Sequence, residues 1–534
     1  KSHVFVLICR YRETDKFTVL VPRDAGRKKG KREATRDERL CEARMESETE
    51  VVSGLEPGGL KESMIIPISD EGLLEHEGVE SPRLASKEGL GEDVAKLVQK
   101  QDGDDLSNEV TSTIIHEEVS EEPVNLASFH KHVFVLSEAG KPIYSRHGDE
   151  EMLVTTMGVM QALSSCIQDR DQDQIRFIKA GRRRFVYLLR LPLILVGVSS
   201  WPYLSFQQLQ NHLLYMYNEI VCVLTHSILI RVFEQRSNFD LRRMLGGSER
   251  QFDTLCDRMD VDVSFLLGAV RCLPLPASVR DQISQAIVQP CGKARDLVFA
   301  ILVADNHLVA MGRMKKYQLH PVDLHLIFNL VESSQNLKDA ETWLPICLPK
   351  FDATAFLHAH VSYLDEACVS CLLLVTVRRD QFFELQECRS RIAERLQKGG
   401  LLATIAESIA DAGCSVRECG ILELRHFIYK AKSSAQLSSA RFEGVYLGEE
   451  SRRRLIGLYH VLHARMFNPA RPLKILYMAG ERETLLGWHM IGFELYATFE
   501  PLVTKEGAVK AMNKLLHWIK KEEDRLFIMN SATF

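Results

Sequence analysis

The chain has 534 residues, too long for one compact core, so about three or four domains are expected. Apolar residues make up 46% and charged residues 26%, and a formal net charge of -5 is small for this length, which argues against a nucleic-acid partner. The longest apolar stretches, such as 188–198 with its Arg190 and Pro192, fall short of the roughly 20 residues that a spanning helix needs, so a soluble protein is expected. Thirteen cysteines, an odd count without regular spacing and mostly inside apolar runs, read as reduced thiols in the cytosol. The sequence opens without an apolar segment and cleavage site, so secretion is not expected.

In chain order, His3-Val4-Phe5-Val6-Leu7 comes first and is repeated almost letter for letter at His132-Val133-Phe134-Val135-Leu136. Only the second copy leads into a full domain, so the first reads equally as a duplicated start or as an extra strand. From about 22 to 127 the chain is polar, charge-rich and nearly free of aromatic residues. Such a stretch buries too little apolar surface to offset chain entropy, and residues 1–129 are expected to form a mostly disordered regulatory tail. Its basic cluster, Arg27, Lys28, Lys29, Lys31 and Arg32, reads as a solvated tail, a nuclear-type signal or an anchor for anionic lipid.

Residues 130–237 form the first expected domain. Apolar runs at 133–136 and 142–145 flank Glu138-Ala139-Gly140-Lys141, a hairpin signal. A helix over 150–169 follows, with Met152, Thr156, Val159, Met160 and Leu163 at helical spacing. Strands at 175–179, 185–189 and 193–198 lead to a long helix with Phe206, Leu209, Leu213, Met216, Ile220 and Leu224 on one face and Ser205 as N-cap. The order is β-β-α-β-β-β-α. After a hydrophilic linker over 238–262, a second domain over 263–400 repeats it, with strands at 297–304 and 308–311, a helix at 321–332, strands near 343–349, 356–364 and 369–377, and a helix at 381–396 stopped by Gly399-Gly400. A linker over 401–423 precedes a third domain at 424–530. Its strands are expected at 425–429, 442–446, 473–478, 484–488 and 493–499, and its helices at 449–466 and 505–524. Three units of this kind indicate an α/β protein of the α+β type, each unit an antiparallel sheet with flanking helices.

Motifs for covalent chemistry are missing. No Gly-x-Gly-x-x-Gly follows a strand, and there is no phosphate loop, His-Glu-x-x-His or nucleophile elbow, so no cofactor and no catalytic residue are expected. Cys368 and Cys371 lack a second ligand pair at finger spacing and read as core thiols rather than a zinc site. His358 and His360 share a strand face without a carboxylate close in sequence, and Cys414 and Cys419 carry still less signal. The 150–169 helix carries Met152, Met157 and Met160, more sulfur than one buried stripe uses. Methionine adapts to irregular protein surfaces, so these residues with Thr156 and Gln161 are expected to face a partner chain; the alternative is that they pack on their own sheet.

The run from His132 through Ser137-Glu138-Ala139-Gly140-Lys141-Pro142-Ile143-Tyr144-Ser145-Arg146 to Thr156-Met157-Gly158-Val159-Met160 resembles the SAND family, vacuolar fusion proteins of the Mon-one type. So do Asn238-Phe239-Asp240-Leu241-Arg242-Arg243-Met244-Leu245-Gly246-Gly247-Ser248-Glu249-Arg250, Leu424-Arg425-His426-Phe427-Ile428-Tyr429-Lys430 and Lys520-Lys521-Glu522-Glu523-Asp524-Arg525-Leu526-Phe527. The resemblance implies three longin domains and a subunit of a guanine-nucleotide exchange factor. Its implied substrate is a late-endosomal Rab GTPase of the Rab-seven class, and its implied role is early-to-late endosome conversion and vacuole or lysosome fusion, with autophagy as a related process. An alternative is a longin scaffold in vesicle tethering without exchange activity. Implied partners are an obligate Ccz-type longin subunit, a third regulatory subunit in metazoans, a Rab-five-class recruiter and phosphatidylinositol 3-phosphate on an anionic membrane. The implied location is cytoplasmic, with peripheral recruitment to endosomes, lysosomes or vacuoles. The matched Asn238, Asp240, Arg242 and Arg243 join the helix residues as expected partner or GTPase contacts.

Overall fold

The computed structural model describes residues 129–148, 153–171, 173–410 and 413–534, with the backbone of Leu7–Cys9 and Ile65–Pro67. The expected tail over 22–127, apart from Ile65–Pro67, lies outside the described residues, as do its basic cluster Arg27 to Arg32 and Met152.

The first unit runs β1 (Lys131–Ser137), β2 (Pro142–Ser145), α1 (Val154–Asp171), β3 (Phe177–Ala180), β4 (Arg183–Arg190), β5 (Leu193–Ser199), α2 (Phe206–Leu224) and α3 (His226–Gln235). The β1–β2 turn uses Gly140 at φ +79, a conformation a side chain disfavours. Ser205 and Gln208 form the capping box that starts α2. The strand order is β3-β4-β5-β1-β2, antiparallel throughout, with Leu7–Cys9 added parallel to β3. Leu7, the last residue of the early repeat, is thus in a strand.

A helix α4 (Glu249–Val261) follows where a hydrophilic linker was expected. Its Phe252, Leu255, Cys256 and Met259 are buried at helical spacing, and its charged outer face masked that stripe in the average polarity. The second unit then has α5 (Ala277–Cys291), β6 (Leu297–Ala304), β7 (His307–Arg313), α6 (Pro321–Ser333), β8 (Thr342–Leu348), β9 (Asp352–Tyr363), β10 (Ser370–Thr376) and α7 (Phe382–Lys398). The glycine pair does end α7, yet a new helix α8 (Leu401–Ala410) starts at once in the segment read as a linker. The third unit contains β11 (Leu424–Ala431), β12 (Gln436–Ser439), α9 (Glu449–Met466), β13 (Ile475–Ala479), β14 (Thr484–His489), β15 (Phe493–Phe499) and α10 (Lys505–Lys521). The strand expected at 442–446 is instead a single helical turn, Gly444–Tyr446, with Gly444 at φ +59 and Tyr446 buried. The true second strand, Gln436–Ser439, has only one aliphatic residue to signal it.

All three sheets share one topology. The order β8-β9-β10-β6-β7 in the second unit and β13-β14-β15-β11-β12 in the third repeat the first, each with the third strand at one edge and the first two at the other. The chain also exchanges edges between units: Val270–Arg271 pairs with β12, and Ala532–Thr533 returns to pair with β7.

Helix α2 explains how the units pack. All five of the expected core residues from Leu209 to Leu224 are buried, but so are His212, Tyr215, Asn218 and Glu219 on its other sides. One hydrophobic cluster runs from β1 and β5 across α2 and α4 into α6, β8 and β10, so the first and second units share a core. Polar groups that this burial desolvates are paired across the seams: Tyr215 with His325 Nδ1 of the second unit at 2.8 Å, and Gln208 Nε2 donating to the His460 carbonyl of the third unit at 2.9 Å.

Candidate functional site

Helix α1 has two apolar faces. Leu153, Met157 and Met160 are buried with Phe134, Leu136, Ile178 and Val196 against the first sheet. Met157 has no exposure and Met160 only 5%, which overturns the expectation that these sulfurs point outward. The reason is packing: the inner stripe at spacings of three and four, Leu153-Met157-Met160, is completed by the methionines rather than left over from it. Thr156 and Gln161 are half-buried at the border.

The outer face carries a different set. Val154 and Val159 are each 48% exposed, and Thr155, Ala162 and Cys166 are exposed beside them. Val154, Gly158, Val159, Ala162 and Cys166 fall on one side at helical spacing and include no charge. A helix that is apolar on both faces needs cover on both, and the sheet covers only one. The sequence held this signal in the absence of a charged stripe between 154 and 167, but attention to sulfur alone missed it.

One end of the same sheet gathers the remaining expected contacts. Gln161 Nε2 donates to the Glu138 carbonyl at 3.2 Å and to Ser165 Oγ at 3.0 Å, so α1 is tied to the β1–β2 turn. From the other side of that turn, Lys141 Nζ donates to the Asn238 carbonyl at 2.8 Å. Gln161 and Asn238 therefore flank one hairpin although 77 positions separate them. Asp240 accepts from Arg242 Nε and Nη2, both at 3.1 Å, and from its backbone N–H at 3.2 Å. Those bonds to Arg242 hold the Asp240 carboxyl below its usual range. The arginine is thus partly engaged, whereas Arg243 beside it is exposed.

Behind this end, β2 is clamped to α4. Tyr144 donates to Asp253 at 2.7 Å, and Arg146 pairs with Asp253 at 2.8 Å and with Asp257. Lys131, nearly buried, sits between Asp260 and His212 Nδ1, the latter at 3.2 Å. Burial first, and Lys131 second, keep the His212 imidazole neutral, well below its ordinary value. These groups pin the unit together.

Elsewhere, His360 meets the carboxylate that sequence proximity could not supply, Glu341 at 3.3 Å. Arg389 already lies 3.4 Å from that carboxylate, so an arginine occupies the place where a metal cation would pair with it. Cys371 is buried in β10, while Cys368 lies in a turn at φ +52. Among the described residues, no group of three or more His, Cys, Asp and Glu side chains is arranged to hold a metal ion. No single described helix is long and apolar enough to cross a membrane.

Family models for the first, second and third longin domains of FUZ, MON1 and HPS1 match residues 131–255, 295–394 and 423–523. The chain is 43% identical over 510 residues to the protein SAND of Takifugu rubripes, covering 93% of this chain and 96% of that one. It is 50% identical over 404 residues to vacuolar fusion protein MON1 homolog A of Gallus gallus, across 76% of this chain and 73% of the relative. The human homolog A matches at the same identity, and the aligned part spans 61% of its length. The chain belongs to the MON1/SAND family. Its three repeated sheets are three longin domains, and the first MON1-type model extends into the first half of α4, which the sequence reading had placed in a linker. In this MON1/SAND chain both the outer face of α1 and the Gln161–Asn238 end lie within that first longin domain.

Proposed function

We propose that the chain is one subunit of a guanine-nucleotide exchange factor that activates a late-endosomal Rab GTPase of the Rab-seven class in vacuole or lysosome fusion and endosome conversion. It works by binding and not by covalent chemistry. The observation that carries this reading is the uncharged outer face of α1, Val154, Gly158, Val159, Ala162 and Cys166, on the first longin domain of a MON1/SAND chain. A second longin subunit of the Ccz type covers it, and the two sheets together form a platform for the GTPase. The contacts at Gln161, Asn238 and Arg243 border that platform.

Exchange needs no nucleophile. A surface that binds the opened switch loops of the GTPase better than the closed ones lowers nucleotide affinity by the difference. The name of the MON1 relatives, vacuolar fusion protein, supports a vacuole-related setting. In the proposed reading the chain is recruited peripherally through a Rab-five-class GTPase, phosphatidylinositol 3-phosphate and, in metazoans, a third subunit.

The test is release of labelled nucleotide from a Rab panel by the chain alone, the Ccz-type subunit alone and both together. Acceleration by the pair only, on one Rab class, supports the reading. Specific GTPase binding with no release by the pair would favour the tethering scaffold instead.

A further inference from the structure

A cavity of about 310 Å³ lies where the first longin domain meets the third. Helix α2 lines it with Gln207, Asn211 and His212, and the end of α9 with His463, Ala464 and Phe467. The short helix Val263–Leu267, which stops at Gly268 with φ +57, closes it from the connection between the first and second domains. Gln207 is exposed while His212 and Leu267 are buried, so the space runs inward from the surface of α2. None of its eleven lining residues is Asp, Glu, Lys or Arg. Its size is at the lower end of small-molecule sites, which favour domain junctions.

The polar groups on its wall are unevenly used. His212 is 2% exposed, and Lys131 Nζ lies 3.2 Å from its Nδ1. An ammonium only donates, so Nδ1 accepts and the neutral ring carries its proton on Nε2. That N–H has no acceptor among the described residues, and a buried donor left unmet is costly. Asn211 spends Nδ2 on a long bond of 3.4 Å to the Phe265 carbonyl and keeps Oδ1 free. His463 makes no hydrogen bond among the described residues but stacks on Phe467, with ring centroids 4.4 Å apart and planes inclined by 25°. Burial lowers His463 to about 4, so this ring is neutral as well. Gln208 in the same wall is engaged on both amide atoms, by the His460 carbonyl at 2.9 Å and the Ser205 N–H at 2.8 Å, so the free groups do not reflect a loose seam.

We infer that this cavity is a binding site for an uncharged planar heterocycle with an amide-like edge, such as a nucleobase or nicotinamide. A carbonyl or ring nitrogen of the ligand accepts from His212 Nε2–H, an amino group donates to Asn211 Oδ1, and its face lies against the His463–Phe467 pair. A phosphate or carboxylate gains nothing there, because no cation lines the space. Binding needs no GTPase and stands apart from exchange. A ligand held between α2 and α9 bridges the first and third domains and stabilises the folded chain by mass action.

The experiment titrates the full chain, alone and with its longin partner, with adenosine, guanosine and nicotinamide, read by saturation-transfer NMR and by the thermal midpoint. At least one probe should bind saturably and raise the midpoint with its concentration, and the nucleoside triphosphates should bind no more tightly than the nucleosides. Phe467→Leu keeps the volume but removes the flat face, and should weaken binding about tenfold. Asn211→Ala should weaken it by about the same factor. Ala464→Phe fills the space and should abolish binding, while Arg453→Ala on the exposed side of α9 should change nothing. The Leu and Asn211 variants decide the matter if Ala464→Phe does not fold. The inference is overturned if none of the three probes saturates, or if the Phe467 and Asn211 variants bind like wild type. It is equally overturned if cyclohexanecarboxamide binds as well as nicotinamide, if a triphosphate binds far more tightly than its nucleoside, or if the longin partner displaces every probe, which would make a protein segment the occupant.

Discussion

The ring of Tyr203 lies so close to Gly457 in α9 that a β-carbon at that position would stand 2.7 Å from two of its ring carbons. This contact closes the seam between the first and third longin domains, alongside the Gln208–His460 bond and the tilted packing of Trp201 on the His460 ring. Gly457→Ala gains up to about 1 kcal/mol of helix propensity but forces a backbone or ring displacement worth about 1–3 kcal/mol. A net loss of stability is expected, read as a lower urea midpoint with unchanged slope. Adding Tyr203→Ala should make the glycine change harmless, and a fully additive double mutant would refute the contact.

The two faces of α1 should respond in opposite ways. Met157 has no exposure, and Met157→Asp buries an unpaired carboxylate, so unfolding of the chain alone should become easier by about 3 kcal/mol or more. Val159 is 48% exposed, and Val159→Asp should leave the melting of the lone chain within about 0.5 kcal/mol while weakening association with the longin partner at least tenfold. Isothermal titration with the purified partner reads the second effect. If Val159→Asp binds as tightly as wild type, the partner does not use this face.

Much of the architecture was legible because longin units write their topology in clear signals. Leu297–Ala304, buried at every position, and Phe493–Phe499, bounded by turns, are strands at the expected places. The Ser205 cap marked the start of α2. What escaped was set by neighbours rather than by local pattern. Helix α4 reads as polar until Phe252, Leu255, Cys256 and Met259 find α2 and α6 to pack against. The strand Gln436–Ser439 exists because β11 on one side and Val270–Arg271 on the other complete its bonds. At the site, Gln161 and Asn238 were named from sequence, but only folding places both at one hairpin. The methionines misled because helical spacing alone does not say which of two apolar stripes the sheet takes.

Zinc content is expected to be nil after chelator washing. Cys371 faces the sheet core, and burial first, then the Cys368 charge, pushes its thiol up to about 12, far from the thiolate that zinc requires. Elemental analysis of the purified chain checks this, and one tightly held zinc per chain would contradict it.

The last expectation concerns Glu219 on α2, which is 1% exposed at the junction with α4 and α6 and leaves Oε2 without a partner. Burial pushes its carboxyl from 4.5 up to about 8, against the smaller opposing influences of Asn329 and Arg258. A carboxyl whose folded value is raised holds its proton in the native state after the unfolded chain has released it. Its contribution is therefore complete below about pH 4.5 and is lost as the pH rises toward about 8, with a slope approaching about 1.4 kcal/mol per unit between them. Asp323 acts in the same direction over a narrower window, since burial raises it to about 6, while the buried His325 is lowered to about 4 and weakens the fold only under acid. Glu219→Gln removes the first of these and leaves the other two. The difference in unfolding free energy between Glu219→Gln and wild type should move steadily in favour of the glutamine variant from about pH 5 to about pH 8, because the amide never has to ionise in the seam. Urea unfolding of both proteins across that range gives the comparison, and a difference that does not change with pH would mean that Glu219 is ionised in the folded chain and that Arg258 pairs with it.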